Sequence, residues 1–445
     1  MTATTYARPA MASSPTSWRV EPVGPLTGDV HVRGSKNAVT KHMVAALLGE
    51  GPSTIENCPD VGDVDITAGM LRDLGCNVEV EGSTVTIEPG PLTSGRVPLG
   101  YGGLNRIPIL LVGPLLHRMG EVFVPLVGGD RIGPRPVNFH VSCLEAMGAE
   151  VTMTPDGLEA KATKLHGARI RLPFPSVGAT ETVLLTAVLA EGRTVLENSA
   201  IEPEVIELAL FLQRMGARVE LRPDRRFVIE GVSRLSGGAR HTLAGDRIEA
   251  FSYLVAGLVT GGRVRVHGCA QERLVTAITT LQRIGVRFEI TDDWLAAEAD
   301  QLRPAAVQTA THPGFMTDWQ APLVVLLTQC NGMSVVHESV YEGRFPYVAA
   351  LKDMGAEVEL FDACLGSTNC RFNESEAMHS AVIHGPTALH GADITVPDIR
   401  GGFAYVIAAA AAEGPSRLRD VHHLERGYHR PLEAFAGLGL HISRD

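Results

Sequence analysis

Disulfide-forming cysteines are scarce in this chain of 445 residues. The seven cysteines are odd in number and widely spread, and no pair has the C-x-x-C spacing of a zinc or redox motif. This pattern excludes a small disulfide scaffold, and it predicts reduced thiols and a cytoplasmic protein without a bound metal.

An excess of positive charge is also lacking, since 50 acidic residues outnumber 39 basic ones and the formal net charge is -11. Such a chain has no general affinity for nucleic acid, which requires a basic surface. Any anionic ligand must therefore be held by a local cluster of Lys and Arg.

Long apolar runs are missing too. No stretch reaches the roughly twenty uncharged residues of a membrane span, so no membrane association is predicted. Residues 1–17 contain Ala, Thr, Ser and Pro but no continuous apolar segment of the kind found in signal peptides, and we predict a disordered tail.

The chain does contain a repeat. A helix-like apolar run closes on Leu-x-x-(Leu/Met/Ile)-Gly and is followed by an alternating strand, six times at intervals of roughly seventy residues. The closing glycines are Gly75, Gly148, Gly216, Gly285, Gly355 and a degenerate Gly439. This period predicts six small αβ units.

A second glycine recurs with the same period and follows a helix-like run of small apolar residues in each unit. These glycines are Gly51, Gly120, Gly192, Gly262, Gly332 and Gly414. We interpret these glycines as left-handed residues after helix ends. The helices are more apolar than the strands, which predicts helices inside and sheets outside. Six units would form two three-unit domains, 35–247 and 18–34 with 248–445, and residues 245–249 would form a crossover between them.

Three loops are not explained by the repeat. The first carries Lys36 at a strand-to-helix turn, where free helix N–H groups favour an anion. The second is the Gly, Pro and Arg-rich segment 128–136 around Asp130. The third is a pair, Asp318 and Arg426, which taken separately are typical of a helix cap and a surface charge.

Together these segments resemble the UDP-N-acetylglucosamine enolpyruvyltransferases, which are relatives of the shikimate-pathway enolpyruvyltransferase. The resemblance covers nearly the whole chain after the tail. It is carried by 34–37, Arg106 with 113–115, 128–137, 176–180, 246–249, 317–318, 397–400 and 426–428. The family fold that it implies is a pair of inside-out α/β barrel domains with three units each, in agreement with the repeat count.

The resemblance implies transfer of the enolpyruvyl group of phosphoenolpyruvate to a hydroxyl of a uridine nucleotide, with release of phosphate and without a metal or organic cofactor. Asp318 would accept the hydroxyl proton and Asp130 would act as the acid. Phosphoenolpyruvate would be held by Lys36, Asn37, Arg106, Arg135, Arg400 and Arg426. The nucleotide would contact Asn37, Arg106, Arg135, Pro136, Val137, Asn138, Phe139, Ser176, Val177, Gly178, Asp318 and Val340.

Asp130 departs from the family pattern, in which a cysteine most often protonates the methylene carbon. An Asp with an ordinary pKa near 3.9 must rise by about three, or about 4 kcal/mol, to be half protonated at pH 7. Arg131 and Arg135 would oppose that rise, so desolvation and the charge of phosphoenolpyruvate must supply it. Without the thiol, the chain should resist the thiol-alkylating antibiotic fosfomycin.

Two further departures concern the acceptor. Gly62 stands where the family commonly has a basic residue, and Phe174 and Pro175 stand where many members have Lys. Asn138 also replaces an Asp often found beside the uracil. These losses leave UMP, modified on its ribose as in nucleoside-antibiotic synthesis, as an alternative to UDP-N-acetylglucosamine in the first step of peptidoglycan precursor synthesis.

Two other classes of function are less consistent with the sequence. A non-catalytic, nucleotide-binding regulator would have no reason to retain both an acid and a base. An RNA 3'-phosphate cyclase would use a nucleophilic His, and His422 and His423 are available, but the acidic chain lacks a basic patch for RNA.

Overall fold

The computed structural model describes residues 17–129, 133, 136–368 and 370–445. Ser17, the last residue of the predicted tail, begins the first strand and is paired with Arg419, so the folded chain starts one residue earlier than predicted. Residues 1–16 lie outside the described residues, as do Asp130, Arg131 and Arg135. Within the described ranges, no helix combines the length and apolar character needed to span a membrane.

Helices of two kinds alternate along the chain. Odd-numbered helices up to α11 lie in the cores: α1 (Lys36–Ala46), α3 (Val112–Met119), α5 (Val177–Ala187), α7 (Arg247–Val259), α9 (Gln320–Leu327) and α11 (Ile399–Ala410). The others are α2 (Gly62–Asp73), α4 (Asn138–Ala146), α6 (Pro203–Arg214), α8 (Val275–Ile284), α10 (Val348–Asp353), α12 (His422–Gly427) and α13 (Pro431–Gly437). Every residue of α7, α9 and α11 is buried, which confirms that the most apolar helices lie inside.

Three sheets belong to the central part of the chain. The first has the order β13-β3-β5-β4, the second β6-β8-β7 and the third β11-β12-β10-β9. Their strands are β3 (Ser53–Glu56), β4 (Asn77–Glu81), β5 (Thr84–Glu88), β6 (Glu121–Pro125), β7 (Glu150–Thr154), β8 (Gly157–Lys161), β9 (Arg169–Arg171), β10 (Arg193–Glu197), β11 (Arg218–Arg222), β12 (Arg226–Glu230) and β13 (Arg240–Thr242).

The other three sheets combine the start of the chain with its C-terminal half, in the orders β15-β16-β14-β2, β17-β18-β20-β19 and β21-β22-β1-β23. Their strands are β1 (Ser17–Glu21), β2 (Thr27–His31), β14 (Arg263–His267), β15 (Arg287–Ile290), β16 (Trp294–Glu298), β17 (Ala306–Gln308), β18 (Gly332–His337), β19 (Glu357–Phe361), β20 (Ser380–Gly385), β21 (Asp393–Thr395), β22 (Ser416–Arg419) and β23 (His441–Arg444). Because β2 pairs in parallel with β14, the early strand lies with the C-terminal half.

Two separate hydrophobic cores result from this arrangement. One contains buried residues from Ala38 to Leu243, and the other joins residues 18–32 to residues 250–440. Strands such as β14 and β22 alternate buried and exposed residues, so each sheet packs one face on a core and turns the other to solvent. The architecture is mixed α/β, with helices inside and sheets outside.

The repeat glycines explain how each unit turns from helix to strand. All six closing glycines have a positive φ, between 94° at Gly439 and 106° at Gly75, a conformation that other residues adopt at a cost. The prediction for the second set holds for four members and is wrong for Gly51 and Gly262. Gly261 has the positive φ instead, and Gly262 leaves room for the Leu26 carbonyl, which an added Cβ would meet at 2.0 Å.

Candidate active site

A deep cleft opens where the six core helices begin. One residue at the start of each core helix lines this cleft. For α3 and α9, this residue lies at the start of the 3₁₀ turn that precedes the helix. The six residues are Lys36, Arg106, Val177, Arg247, Asp318 and Arg400. They recur about every seventy residues because each repeat contributes one core helix. Six helix N-termini therefore direct their positive dipole ends into one cavity of about 400 Å³.

Four of these helix starts are fixed by side-chain caps, among them the start of α7, where Asp246 accepts hydrogen bonds from the backbone N–H groups of Ile248 and Glu249. Ser35 accepts a hydrogen bond from the backbone N–H of Asn37 and Ser176 accepts one from Ala179. Asp398 accepts two, from Arg400 at 2.8 Å and Gly401 at 3.0 Å. The caps hold the neighbouring side chains of Lys36, Val177 and Arg400 at the cleft.

Charge in the cleft differs from charge in the whole chain. Although acidic residues dominate overall, the described lining includes seven cationic and six acidic side chains. The cations are Lys36, Lys41, Arg106, Arg247, Arg371, Arg400 and Arg426, and the acids are Asp63, Glu181, Glu202, Glu204, Asp318 and Glu342. This is the local cationic cluster that an acidic protein needs in order to bind a small anion.

Lys36 and Arg426 come from opposite halves of the chain and meet at Asp63. Lys36 Nζ lies 2.7 Å from Asp63 Oδ2, Arg426 Nε lies 4.0 Å from Oδ1, and Asn105 donates to Oδ1 at 3.1 Å. Burial would raise the pKa of Asp63, but the charges of Lys36 and Arg426 outweigh it and hold that pKa below its ordinary value. Asp63 is therefore an ionised carboxylate that holds two cations side by side.

Asp318 is held by two buried arginines. Its Oδ1 lies 2.7 Å from Arg400 Nε and 3.6 Å from an Nη of Arg344, and its side chain remains 22% exposed on the cleft side. Burial acts to raise the pKa of Asp318, but the two guanidinium groups lower it further, to about 2. One Arg400 nitrogen, Nη1, is buried without a hydrogen-bond partner among the described residues.

Most of the sequence-predicted site residues line the cleft: Lys36, Asn37, Arg106, Pro136, Asn138, Phe139, Ser176, Val177, Gly178, Asp318, Val340, Arg400 and Arg426. Val137 does not. It precedes α4 and lines a neighbouring cavity of about 440 Å³ with Arg106 and Pro136. Asp130 and Arg135 lie outside the described residues, so their predicted roles stay predictions.

A family model decides the relationship. The model described as EPSP synthase (3-phosphoshikimate 1-carboxyvinyltransferase) matches residues 20–434. The chain belongs to the EPSP synthase family. Its curated relatives include the UDP-N-acetylglucosamine 1-carboxyvinyltransferases of Chlamydia pneumoniae, 44% identical over 94% of this chain and 93% of theirs, and of Nitratidesulfovibrio vulgaris strain Miyazaki F, 39% identical over 94% and 97%. These relatives are enolpyruvyl-transferring enzymes.

Solved structures show the same family fold, two inside-out α/β domains. The enolpyruvyl transferase NikO from Streptomyces tendae superimposes with a TM-score of 0.85, covering 97% of this chain and 99% of its own at 24% identity. EPSP synthase from Acinetobacter baumannii gives a TM-score of 0.73 at 18% identity, covering 97% and 100%. The fold predicted from the repeat is confirmed.

Sequence reasoning missed Asp63 and Arg371. Asp63 lies in the first turn of α2, where an acid ordinarily balances the helix dipole, so its position gave no sign of a link to Lys36. Arg371 lies in an irregular loop, and its guanidinium carbon is 4.4 Å from the centre of the Phe174 ring. Arg371 also donates to the carbonyl oxygen of Val340, another cleft residue. No local pattern in the sequence connects these segments.

Gly62 packs beside Arg426. A Cβ at Gly62 would lie 3.4 Å from Arg426 Cα and 3.5 Å from Arg426 Cγ. Arg426 thus occupies the space beside Gly62, and a cation from α12 lies next to the position where the resemblance expects a basic residue on α2.

Proposed function

We propose that this protein transfers the enolpyruvyl group of phosphoenolpyruvate to a hydroxyl of UDP-N-acetylglucosamine, with release of phosphate. The observation that carries the proposal is the convergence of six helix N-termini and seven cationic side chains on a cleft that also presents the ionised carboxylate of Asp318. Relatives 44% and 39% identical over almost the whole chain are named for this acceptor.

Lys36 and Arg426 would hold the phosphate and carboxylate groups of phosphoenolpyruvate. Their side chains are 17% and 16% exposed, and both face Asp63. A dense anion that enters the cleft would share these cations with Asp63, as charge-assisted hydrogen bonds favour. Arg106 lines the same region, and Arg135 is proposed as a further phosphate ligand on the strength of the resemblance.

The chemical step would begin with attack of the acceptor oxygen on C2 of phosphoenolpyruvate. Asp318 takes the hydroxyl proton, and Asp130 gives a proton to C3 to form the tetrahedral adduct. The bond from C2 to the phosphate oxygen then breaks, C3 returns one proton to Asp130, which restores the enol ether, and the leaving phosphate takes the hydroxyl proton from Asp318. The two proton transfers at C3 cancel, so the net products are the enolpyruvyl ether and phosphate.

Asp318 is a poor base while Arg400 holds it, because a carboxylate with a pKa of about 2 accepts a proton weakly. Arg400 has a buried nitrogen without a described partner, and a substrate carboxylate bound there would draw its charge away from Asp318. The pKa of Asp318 would then rise. We therefore propose that phosphoenolpyruvate binding to Arg400 activates Asp318.

The nucleotide would lie along the start of α5. Ser176, Val177 and Gly178 present a helix N-terminus, and Asn37, Asn138, Phe139 and Val340 complete the lining. Phe174 and Pro175 provide no cation before this loop, where a diphosphate would need one. Arg371, stacked on Phe174, supplies a cation from the other half of the chain. This contact favours UDP-N-acetylglucosamine over UMP.

We further propose that the two cores are two domains, 18–34 with 248–445 and 35–247, that close over the substrates. Hydrogen bonds cross between them: the Asp60 N–H donates to His429 Nδ1 at 3.0 Å, and Arg225 donates to the His312 carbonyl at 2.6 Å. Closure would exclude water from the site and desolvate Asp130.

The test is phosphate release with phosphoenolpyruvate and either UDP-N-acetylglucosamine or UMP at matched concentration. We expect release that requires both substrates and is faster with the sugar nucleotide. Asp318→Ala should abolish turnover while the circular dichroism spectrum stays that of the parent. A tenfold or greater preference for UMP would overturn the acceptor assignment, and turnover retained by the variant would overturn the assignment of Asp318 as the base.

A further inference from the structure

Four metal-ligating side chains meet outside the cleft, on the sheet that contains β18, β19 and β20. His337 ends β18, Cys364 and Cys370 belong to the loop that follows β19, and His379 ends that loop before β20. One ligand atom of each lies within 4.8 Å of those of the other three. Both histidines are fully buried.

The distances within this Cys₂His₂ cluster suit a tetrahedral ion. Cys364 Sγ lies 3.5 Å from Cys370 Sγ and 3.4 Å from His379 Nε2. A zinc ion with bonds of about 2.3 Å to sulfur and about 2.0 Å to nitrogen holds its ligand atoms about 3.3 to 3.8 Å apart. The sulfurs are too distant for a disulfide, whose bond is about 2.0 Å.

Hydrogen bonds fix both imidazoles in the metal-binding tautomer. His379 Nδ1 lies 2.7 Å from the Ala377 carbonyl, which only accepts, so Nδ1 carries the proton. Ser380 donates its single hydroxyl proton to the Ala363 carbonyl at 2.6 Å, so His337 Nδ1 must donate to Ser380 Oγ at 2.9 Å. Each Nε2 is therefore the unprotonated nitrogen of its ring and presents its lone pair to the cluster, as in zinc sites whose histidines are oriented by outer hydrogen bonds.

His337 Nε2 is the second observation that indicates a ligand. It is buried and has no hydrogen-bond partner among the described residues, a costly arrangement for an acceptor that a metal ion would satisfy. Gly366 lies against the same ring, since a Cβ there would be 2.4 Å from His337 Cδ2. The Cys370 sulfur also accepts the N–H of Phe372 at 3.4 Å, a contact that orients it within the cluster.

The loop itself requires an anchor. Its described residues between Asp362 and His379 form neither helix nor strand, and loops of this length are uncommon in compact proteins. Metal ligation would close the loop onto β18 and β20. It would also place Arg371, the residue after Cys370, against Phe174 at the cleft.

We propose that His337, Cys364, Cys370 and His379 bind a structural Zn²⁺ ion. Two thiols lose their protons to solvent on binding, so two thiolates neutralise the ion and two neutral imidazoles complete a closed tetrahedral shell. No C-x-x-C spacing marks this site in the sequence, because its ligands are separated by up to 42 positions and meet only in the folded sheet. The observations that indicate this zinc site do not depend on the proposed reaction.

The experiment measures zinc in the full-length protein by plasma mass spectrometry after zinc loading and removal of free metal by gel filtration. We expect about one zinc ion per chain, and at least a tenfold lower content in the Cys364→Ser/Cys370→Ser variant. Cys76→Ser and His384→Gln are matched controls outside the cluster and should retain the zinc. Cobalt loading should add thiolate charge-transfer absorption to the parent and not to the double variant.

Zinc retained by the double variant, or no more zinc in the parent than in that variant, would overturn the proposal. Metal-free parent protein that takes up no zinc after any disulfide between Cys364 and Cys370 has been reduced would do the same. If the double variant fails to fold, the parent still provides the test. Modification of its thiols with a mercurial should release one zinc ion to a colorimetric chelator, and release of none would refute the site. None of these readouts depends on turnover.

Discussion

Replacement of Asp318 by Asn tests the electrostatic arrangement at the centre of the site. Asn keeps the shape of the side chain but removes the charge that Arg400 contacts at 2.7 Å and Arg344 at 3.6 Å. Both arginines are nearly fully buried, at 4% and 3% side-chain exposure, so solvent screens this charge only slightly. The variant should be less stable than the parent, and by an amount that depends on pH.

The magnitude follows from the pKa of Asp318, which folding lowers from 3.8 to about 2. This difference contributes roughly 2 kcal/mol to the free energy of unfolding at pH 7. Because folding lowers the pKa of this carboxyl group, the stabilisation is fully present above the pKa of the unfolded state. It is lost as the pH falls through the pKa of the folded state. About 1 kcal/mol should be lost by pH 3. Any further cost of leaving two arginines without a carboxylate adds a part that does not change with pH.

The assay is urea unfolding of parent and Asp318→Asn at pH 7, 5, 4 and 3, followed by tryptophan fluorescence. The difference in unfolding free energy should be largest at pH 7 and shrink by about 1 kcal/mol at pH 3. Asp393→Asn is the control, since its partner Arg419 is 53% exposed and such surface pairs contribute about 1 kcal/mol or less. A difference for Asp318→Asn that is the same at all four pH values would refute the buried ion pair.

Three further predictions concern the cleft and the scaffold. Arg371→Ala should raise KM for the nucleotide about tenfold with little change in kcat, as loss of uniform binding does, and Arg371→Lys should lie between; an unchanged KM in steady-state assays would exclude Arg371 from the nucleotide site. Asp130→Cys should make the enzyme susceptible to time-dependent inactivation by fosfomycin, whereas time-dependent loss of activity in the parent through residue 130 would contradict the assignment. Gly285→Ala should lower the free energy of unfolding by about 1 to 3 kcal/mol in the same urea titration. The reason is that Gly285 has a φ of 103° and an added Cβ would lie 2.7 Å from the Gln301 carbonyl. Gly437→Ala is the control and should be neutral, because a Cβ at Gly437 would meet no atom within 4 Å.

The scaffold could be predicted from sequence because its signals are local and repeated. A glycine that must adopt a positive φ after a helix, such as Gly216, occurs at the same position in every unit. The errors fell where two segments approach each other. Gly262 is needed because the Leu26 backbone lies beside it, and nothing near Gly262 in the sequence shows that contact.

The site was predicted only in part, for a related reason. Resemblance to a family brought Lys36, Asp318 and Arg426 together, but it could not show what each of them contacts before substrate binds. Asp63 and Arg371 act across the two halves of the chain, so their roles depend on tertiary geometry. At the proposed nucleotide site, the sequence departures that remove cations are offset by arginines that come from elsewhere in the fold.

The repeat and the site are also connected more closely than the sequence suggests. The closing glycines follow the outer helices and do not line the cleft, whereas the core helices of all six units begin there. The positive ends of six helix dipoles would repel one another if no negative charge balanced them. In the described structure, four carboxylates provide this negative charge, and each contacts a backbone N–H, a Lys or an Arg. They are Asp63, Asp246, Asp318 and Asp398. A substrate with several negative charges can share these contacts, and the site is therefore held in shape by carboxylates until an anion arrives.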